Sequence, residues 1–161
     1  MIKNSKLKIK NYCSGQSLFE LVIAIGISAL IIVVLVSLVS KTLSNATFSK
    51  NQTLAGRYTQ AAIEWLRGQR DNRTDLFIAN TIVPNWCLKD ANLTDTSWSQ
   101  SSVCGANDFI PGTIFKRDAT FSVGTVSGKT IITADVKVSW TDSSGIHIVS
   151  SSTQFSDWRQ R

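Results

Sequence analysis

The chain has one histidine, two prolines and only eleven acidic residues in 161. A single imidazole and a few scattered carboxylates leave little to work with for general acid–base catalysis. There is no P-loop, no dinucleotide fingerprint and no nucleophile elbow, and the many serines lack a paired base. An enzyme is therefore not expected. Cys87 and Cys104 with His147 far away give no zinc pattern, and Asp90, Asp95 and Asp108 do not match the spacing of a calcium loop. No metal and no cofactor are expected, and His147 reads as an ordinary surface or packing residue. Charged residues are also scarce, at 17% against 43% apolar, which excludes extended disorder. At 161 residues there is room for one modest exported domain.

What charge there is lies unevenly. The net charge is +6, but Lys3, Lys6, Lys8 and Lys10 sit in the first fifteen residues with no acid among them. Without these four lysines, thirteen basic residues face eleven acidic ones, a net of +2. A basic surface for nucleic acid is thus not supported, and nucleic acid is not an expected partner.

Residues 18–39 are apolar apart from Glu20, Gly26 and two serines. As a helix this stretch would be about 33 Å long, enough to cross a hydrocarbon core of about 30 Å. The lysines precede it, which places the N-terminus in the cytoplasm and the rest of the chain outside. The apolar run is too long for an ordinary secretory signal, and Ser40-Lys41-Thr42 is not a small-residue cleavage site. Cys13 lies in the leader. Cys87 and Cys104 form an even pair in the exported part, where parity and an oxidising compartment favour a bridge over two free thiols.

The junction reads Ser14-Gly15-Gln16-Ser17-Leu18-Phe19-Glu20, followed by the apolar run. A basic leader ending in glycine, with a carboxylate five residues on, resembles the class III signal of type IV prepilins and pseudopilins. The resemblance implies a membrane peptidase that cuts between Gly15 and Gln16, methylation of the new Gln16 amine, and an assembly role for Glu20. It implies as partners the prepilin peptidase, other pilin or pseudopilin subunits, the inner-membrane assembly machinery, and the lipid bilayer before assembly. It also implies an inner-membrane monomer with a periplasmic or extracellular domain, later part of a surface filament. The Gln-Ser-Leu opening, with Ser37 and Ala29 where major pilins carry a proline and a glycine, is similar to minor pilins such as the type IV pilus modification proteins. The alternatives are a minor pseudopilin of a type II secretion system and, behind it, a filament-borne adhesin or DNA-uptake module.

Glu20 has a physical role that suits such an assembly. A carboxylate in a membrane helix costs about 2.5–3.5 kcal/mol when central, so it needs a partner. Cleavage would create a positive amine on Gln16 close by, on the same chain or a neighbour, and pairing between chains would set axial register. The plainer role is helix capping, since Ser17-x-x-Glu20 is a capping box.

Beyond the membrane stretch, residues 40–70 contain no proline, and Leu54, Tyr58, Ala61, Ala62, Trp65 and Leu66 recur at helical spacing. This predicts an amphipathic continuation of the helix, with Asp71-Asn72 as its stop. Residues 71–112 read as an irregular, disulfide-pinned connection with Trp86 and Trp98 as anchors. Residues 130–140 alternate strictly, with Ile132, Ala134, Val136, Val138 and Trp140 on one face. An earlier strand is suggested by Phe115, Ala119, Phe121 and Val123, with Arg117 breaking its pattern, and a later one by residues 146–155. Ser127-Gly128 and Asp142-Ser143-Ser144-Gly145 read as hairpin connections.

The expected organisation is a basic leader (1–15), a transmembrane and assembly helix (16–39) and an exported domain (40–161). The exported domain divides into helix 40–70, disulfide loop 71–112 and antiparallel sheet 113–158. The expected fold class is α+β and pilin-like: a long N-terminal helix, half transmembrane and half amphipathic, packed by a C-terminal antiparallel sheet of three to four strands.

Overall fold

The computed structural model describes residues 18–126 and 128–156. Helix α1 (Leu18–Asn72) is followed by α2 (Thr74–Thr81), β1 (Asn85–Cys87), a 3₁₀ turn (Asp95–Ser97), β2 (Lys116–Val126), β3 (Lys129–Asp142) and β4 (Gly145–Ser156). The strands form one antiparallel sheet in the order β1-β2-β3-β4. The α+β class and the antiparallel sheet agree with the expectation.

The chain divides into two compact units, up to Ala46 and from Thr47 onward. In the first, α1 is apolar on every side. Its large apolar side chains are between 44% (Ile23) and 79% (Leu18) exposed. By length and composition this stretch could cross a membrane.

In the second unit α1 buries one stripe: Ala55, Thr59, Ala62, Ile63, Leu66 and Gln69. This stripe is rotated from the expected one. Leu54, Tyr58 and Trp65 are half-buried at its flanks, and Ala61 is exposed. The reason is steric. Ala55, Thr59 and Ala62 are small enough to be fully covered on the face turned to the core, and the bulky Leu54, Tyr58 and Trp65 reach the core from its flanks. Thr59 tolerates burial because its hydroxyl donates to the Ala55 carbonyl at 2.9 Å.

The sheet's buried face carries Arg117, Ala119 and Phe121 from β2, with Ile132, Ala134, Val136, Val138 and Trp140 from β3 and Phe155 from β4. Two apolar clusters result. One joins Ala62, Ile63 and Leu66 to Phe77, Trp86, Phe121 and Phe155, and the other joins Ala55 to Ile110, Phe115, Val138 and Trp140. The β2–β3 turn uses Gly128 at φ +76° and the β3–β4 turn closes on Gly145 at φ +121°, backbone that a side chain would strain. The Asp142 carboxylate accepts the Ser144 N–H at 2.7 Å and steadies the second turn.

Residues 71–112 hold more regular structure than expected. Helix α2 buries Phe77 and Thr81, and β1 pairs Asn85, Trp86 and Cys87 with Thr120, Ala119 and Asp118. Trp86 is buried, and its indole donates to the Asn80 carbonyl at 2.9 Å. Trp98 stacks against Trp65, Trp86 and Phe121 with centroids 4.9–5.8 Å apart.

Candidate functional site

Three groups of residues carry chemistry. The first is the start of α1. Gly15 and Gln16, the expected processing residues, and Ser17 lie outside the described residues. Glu20 occupies the first turn of α1 and is exposed. There a carboxylate faces the positive end of the helix dipole. Two hydroxyls, one within the apolar stretch and one just after it, bond back to the helix's own carbonyls. Ser28 donates to the Ala24 carbonyl at 2.7 Å and Thr42 to the Leu38 carbonyl at 2.9 Å. Satisfying hydroxyls on the helix's own backbone suits a surface that water does not reach. Burying its Leu, Ile, Val and Phe side chains would be worth about 1.5–3 kcal/mol for each. That is a strong drive toward lipid or neighbouring apolar helices.

The second group surrounds the Cys87–Cys104 disulfide. Strand β1 places Cys87 in the sheet, and Cys104 follows in the loop. The Cys104 N–H donates to the Asp118 carboxylate at 2.6 Å. Burial pushes the Asp118 carboxyl above its usual range, against the pull of that N–H. The two sulfurs and the Asp118 oxygen lie within 4.8 Å of one another, but sulfurs joined in a disulfide offer no thiolate to a metal. Asp108 gathers the neighbouring loop. It accepts from the Gln100 amide at 2.9 Å and the Gly105 N–H at 2.8 Å, and pairs with Lys89 at 3.3 Å. These contacts, the Gln100 bond first, hold its carboxyl below the usual range. Asp95 is engaged elsewhere, with Arg73 at 2.9 Å and Gln69 at 2.7 Å.

Arg117 corrects the sequence reading. It does not interrupt the strand; it occupies a core-facing position and is 1% exposed. Its Nε–H donates to the Leu88 carbonyl at 3.0 Å and an Nη2–H to the Asp90 carbonyl at 2.7 Å. The Leu88 N–H in turn donates to the Arg117 carbonyl at 2.8 Å. Burial lowers the guanidinium pKa to about 10, opposed by the nearby Asp90 charge. Arg117 therefore ties the chain after β1 to the sheet at the level of the disulfide. An arginine flanked by lysine and aspartate in sequence gives no hint of this. Arg117 also floors a groove of about 410 Å³ shared with Arg57, Tyr58, Trp65 and Asn92, with no carboxylate in its lining.

The third group is His147. Its ring packs against Phe48 and Trp140, 5.0 and 5.1 Å from their centroids, which are themselves 6.1 Å apart, and its Nε2 is 2.9 Å from an Asp142 oxygen. That contact, first among several, holds the Asp142 carboxyl below its usual range. The imidazole thus braces Phe48 of α1 against the β3–β4 hairpin. The sequence located His147 in a strand but could not show its aromatic neighbours.

Compared with known protein families, characterised proteins and solved structures, the chain matches none.

Proposed function

We propose that this protein is a structural subunit of a type IV pilus-like filament, of the minor-pilin kind, processed at Gly15–Gln16 and assembled through its N-terminal helix. The observation that carries the reading is the start of α1. A single exposed carboxylate, Glu20, sits in the first turn of a helix whose apolar side chains are exposed on every side up to Leu43. A lone anchor needs no such carboxylate, which is costly in lipid unless partnered. Next to it in the sequence are the leader lysines and the Gly15–Gln16 junction, and cutting there would supply the partner as a new amine.

The same apolar surface would then serve twice. In the monomer it is solvated by lipid, and in the filament by other helices of the same kind. Exchanging one apolar surrounding for the other costs little, so polar contacts decide the register. Glu20 would make that contact, while the disulfide-tied, sheet-bearing unit supplies the outer surface.

The test is the intact mass and N-terminal sequence of the membrane-extracted protein, with and without a co-expressed prepilin peptidase. The proposal expects loss of residues 1–15 and one added methyl on Gln16. An uncut leader in the presence of active peptidase overturns it.

A further inference from the structure

The two edges of the sheet are finished differently. At the β1 edge the strand is three residues long, and the Cys87 N–H is taken by the Gln100 carbonyl at 3.0 Å. At the other edge β4 runs twelve residues, Gly145–Ser156, and among the described residues has β3 as its only neighbour in the sheet. Its register with β3 is unbroken from Asp142↔Gly145 to Ile131↔Ser156, so no bulge twists the edge away. The two-residue turn makes Asp142 and Gly145 a mutually bonded pair, and alternate residues repeat that pairing. The backbone N–H and C=O groups of Ile146, Ile148, Ser150, Ser152, Gln154 and Ser156 therefore point away from the sheet. Their side chains are exposed, Ile146 at 73% and Ile148 at 60%. Among the described residues no backbone hydrogen bond reaches these six groups from outside the sheet.

Natural edges are usually blunted by lysine, proline, a bulge or short length. β4 has none of these. It contains no lysine, arginine, aspartate, glutamate or proline, and its one titratable residue, His147, is already engaged by Asp142. An unblunted edge of this length is built to receive a strand.

We propose that β4 is an interface between two copies of this chain, joined edge to edge and antiparallel about a two-fold axis at Ser151. The edge matches itself. It is uncharged along its length, so setting it against a second copy brings no like charges together. A two-fold axis at Ser151 places Ile146 opposite Ser156, Ile148 opposite Gln154 and Ser150 opposite Ser152. Each of the six outward residues then meets an outward residue, and the pairs exchange about twelve hydrogen bonds. An axis between two residues would set outward groups against inward ones and satisfy none. Isologous pairing of this kind is the commonest way identical subunits associate. The interface uses residues 145–156, not residues 15–39; α1 runs alongside β4, with Phe48 at His147 and Arg70 at Phe155, so the two-fold turns the second copy's helix end for end and joins copies from two filaments or two membranes rather than neighbours within one.

The experiment uses the full chain in detergent with Cys13→Ser, so that the disulfide holds the remaining cysteines. In the proposed pairing Ser151 faces Ser151 of the second copy as a non-bonded pair, with Cα atoms about 4.5 Å apart, within disulfide reach. Ser151→Cys should give a covalent dimer on mild oxidation, and Gln154→Cys should not. Ser150→Pro removes one outward N–H while sparing the β3–β4 bonds, and should lower the Ser151→Cys crosslink at least ten-fold with circular dichroism unchanged. Ser152→Lys, on the exposed face, should weaken the dimer in a manner that salt reverses. A folded protein that gives no crosslink at position 151 overturns the proposal. So does a dimer that survives Ser150→Pro and Ser152→Lys, which would be held by residues elsewhere or by a strand from a different partner.

Discussion

Among single residues, Arg117 has the most structural consequence. Its donors satisfy the carbonyls of Leu88 and Asp90, both of which lie on a segment without strand partners beyond Cys87. Arg117→Met would keep the side chain's bulk and remove both bonds, leaving the buried Leu88 and half-buried Asp90 carbonyls without these donors. The expected loss is about 3 kcal/mol in chemical denaturation. Arg117→Lys should recover less than half of it, because one ammonium cannot reproduce the fork. The carboxylates set the acid response. Asp108 and Asp142 are held below their usual range. Each contributes stability that is present above the unfolded value, near 3.9, and lost as pH falls toward the folded pKa. Asp118 is shifted the other way by burial, so it favours the folded state as pH falls through its raised pKa. Asp108→Asn should therefore flatten acid denaturation below about pH 4, and Asp118→Asn should raise stability at neutral pH relative to pH 4. A series of denaturation midpoints against pH checks both signs.

At the scale of elements, alternation in β3 was legible because the strand buries one face and wets the other. The same two-residue period runs through β2, where Arg117 hid it: a charged residue at a core-facing position reads as a break until its partners are known. The helix was legible by spacing but not in phase. Leu54, Tyr58 and Trp65 advertise a stripe by their bulk, whereas the fully covered line is marked by Ala55 and Ala62, which carry little hydrophobic signal of their own. A paired substitution separates these phases. Ala62→Leu should cost about 1–3 kcal/mol by overpacking, and Ala61→Leu, on the exposed side, less than about 0.5 kcal/mol. A cost at Ala61 as large as that at Ala62 would restore the stripe read from the sequence, which held both. Helix α2 and β1 escaped notice for a simpler reason. They are eight and three residues long, too short for either period to declare itself among Asn, Asp and Thr.

At the scale of the molecule, the two units answer to different solvents. Residues 18–46 bring apolar side chains to the surface, while the unit from Thr47 onward has its own buried clusters and a disulfide. A variant beginning at Thr47 should dissolve in water without detergent and keep the Cys87–Cys104 bond and its circular dichroism. Aggregation of that variant would show that the second unit needs the first. Cys87→Ser with Cys104→Ser should lower the midpoint of denaturation by an amount equivalent to about 3 kcal/mol. The candidate site was legible in unequal parts. Glu20 and the apolar run stand out in the sequence because a charge amid such residues is rare, whereas the His147 cluster and the groove floored by Arg117 join residues far apart in the chain.

The Cys87–Cys104 bond has one more consequence, for the protein's endurance under proteolysis. The segment it encloses includes the exposed stretch around Ala91, Asn92 and Thr94, where a protease meets little resistance. A cut anywhere between the two cysteines would leave both halves covalently joined. The mass would rise by one water and the broken chain would still migrate as one under nonreducing conditions. A nicked molecule would therefore keep α1 attached to β2, β3 and β4, so wear at this loop would age the protein without taking it apart.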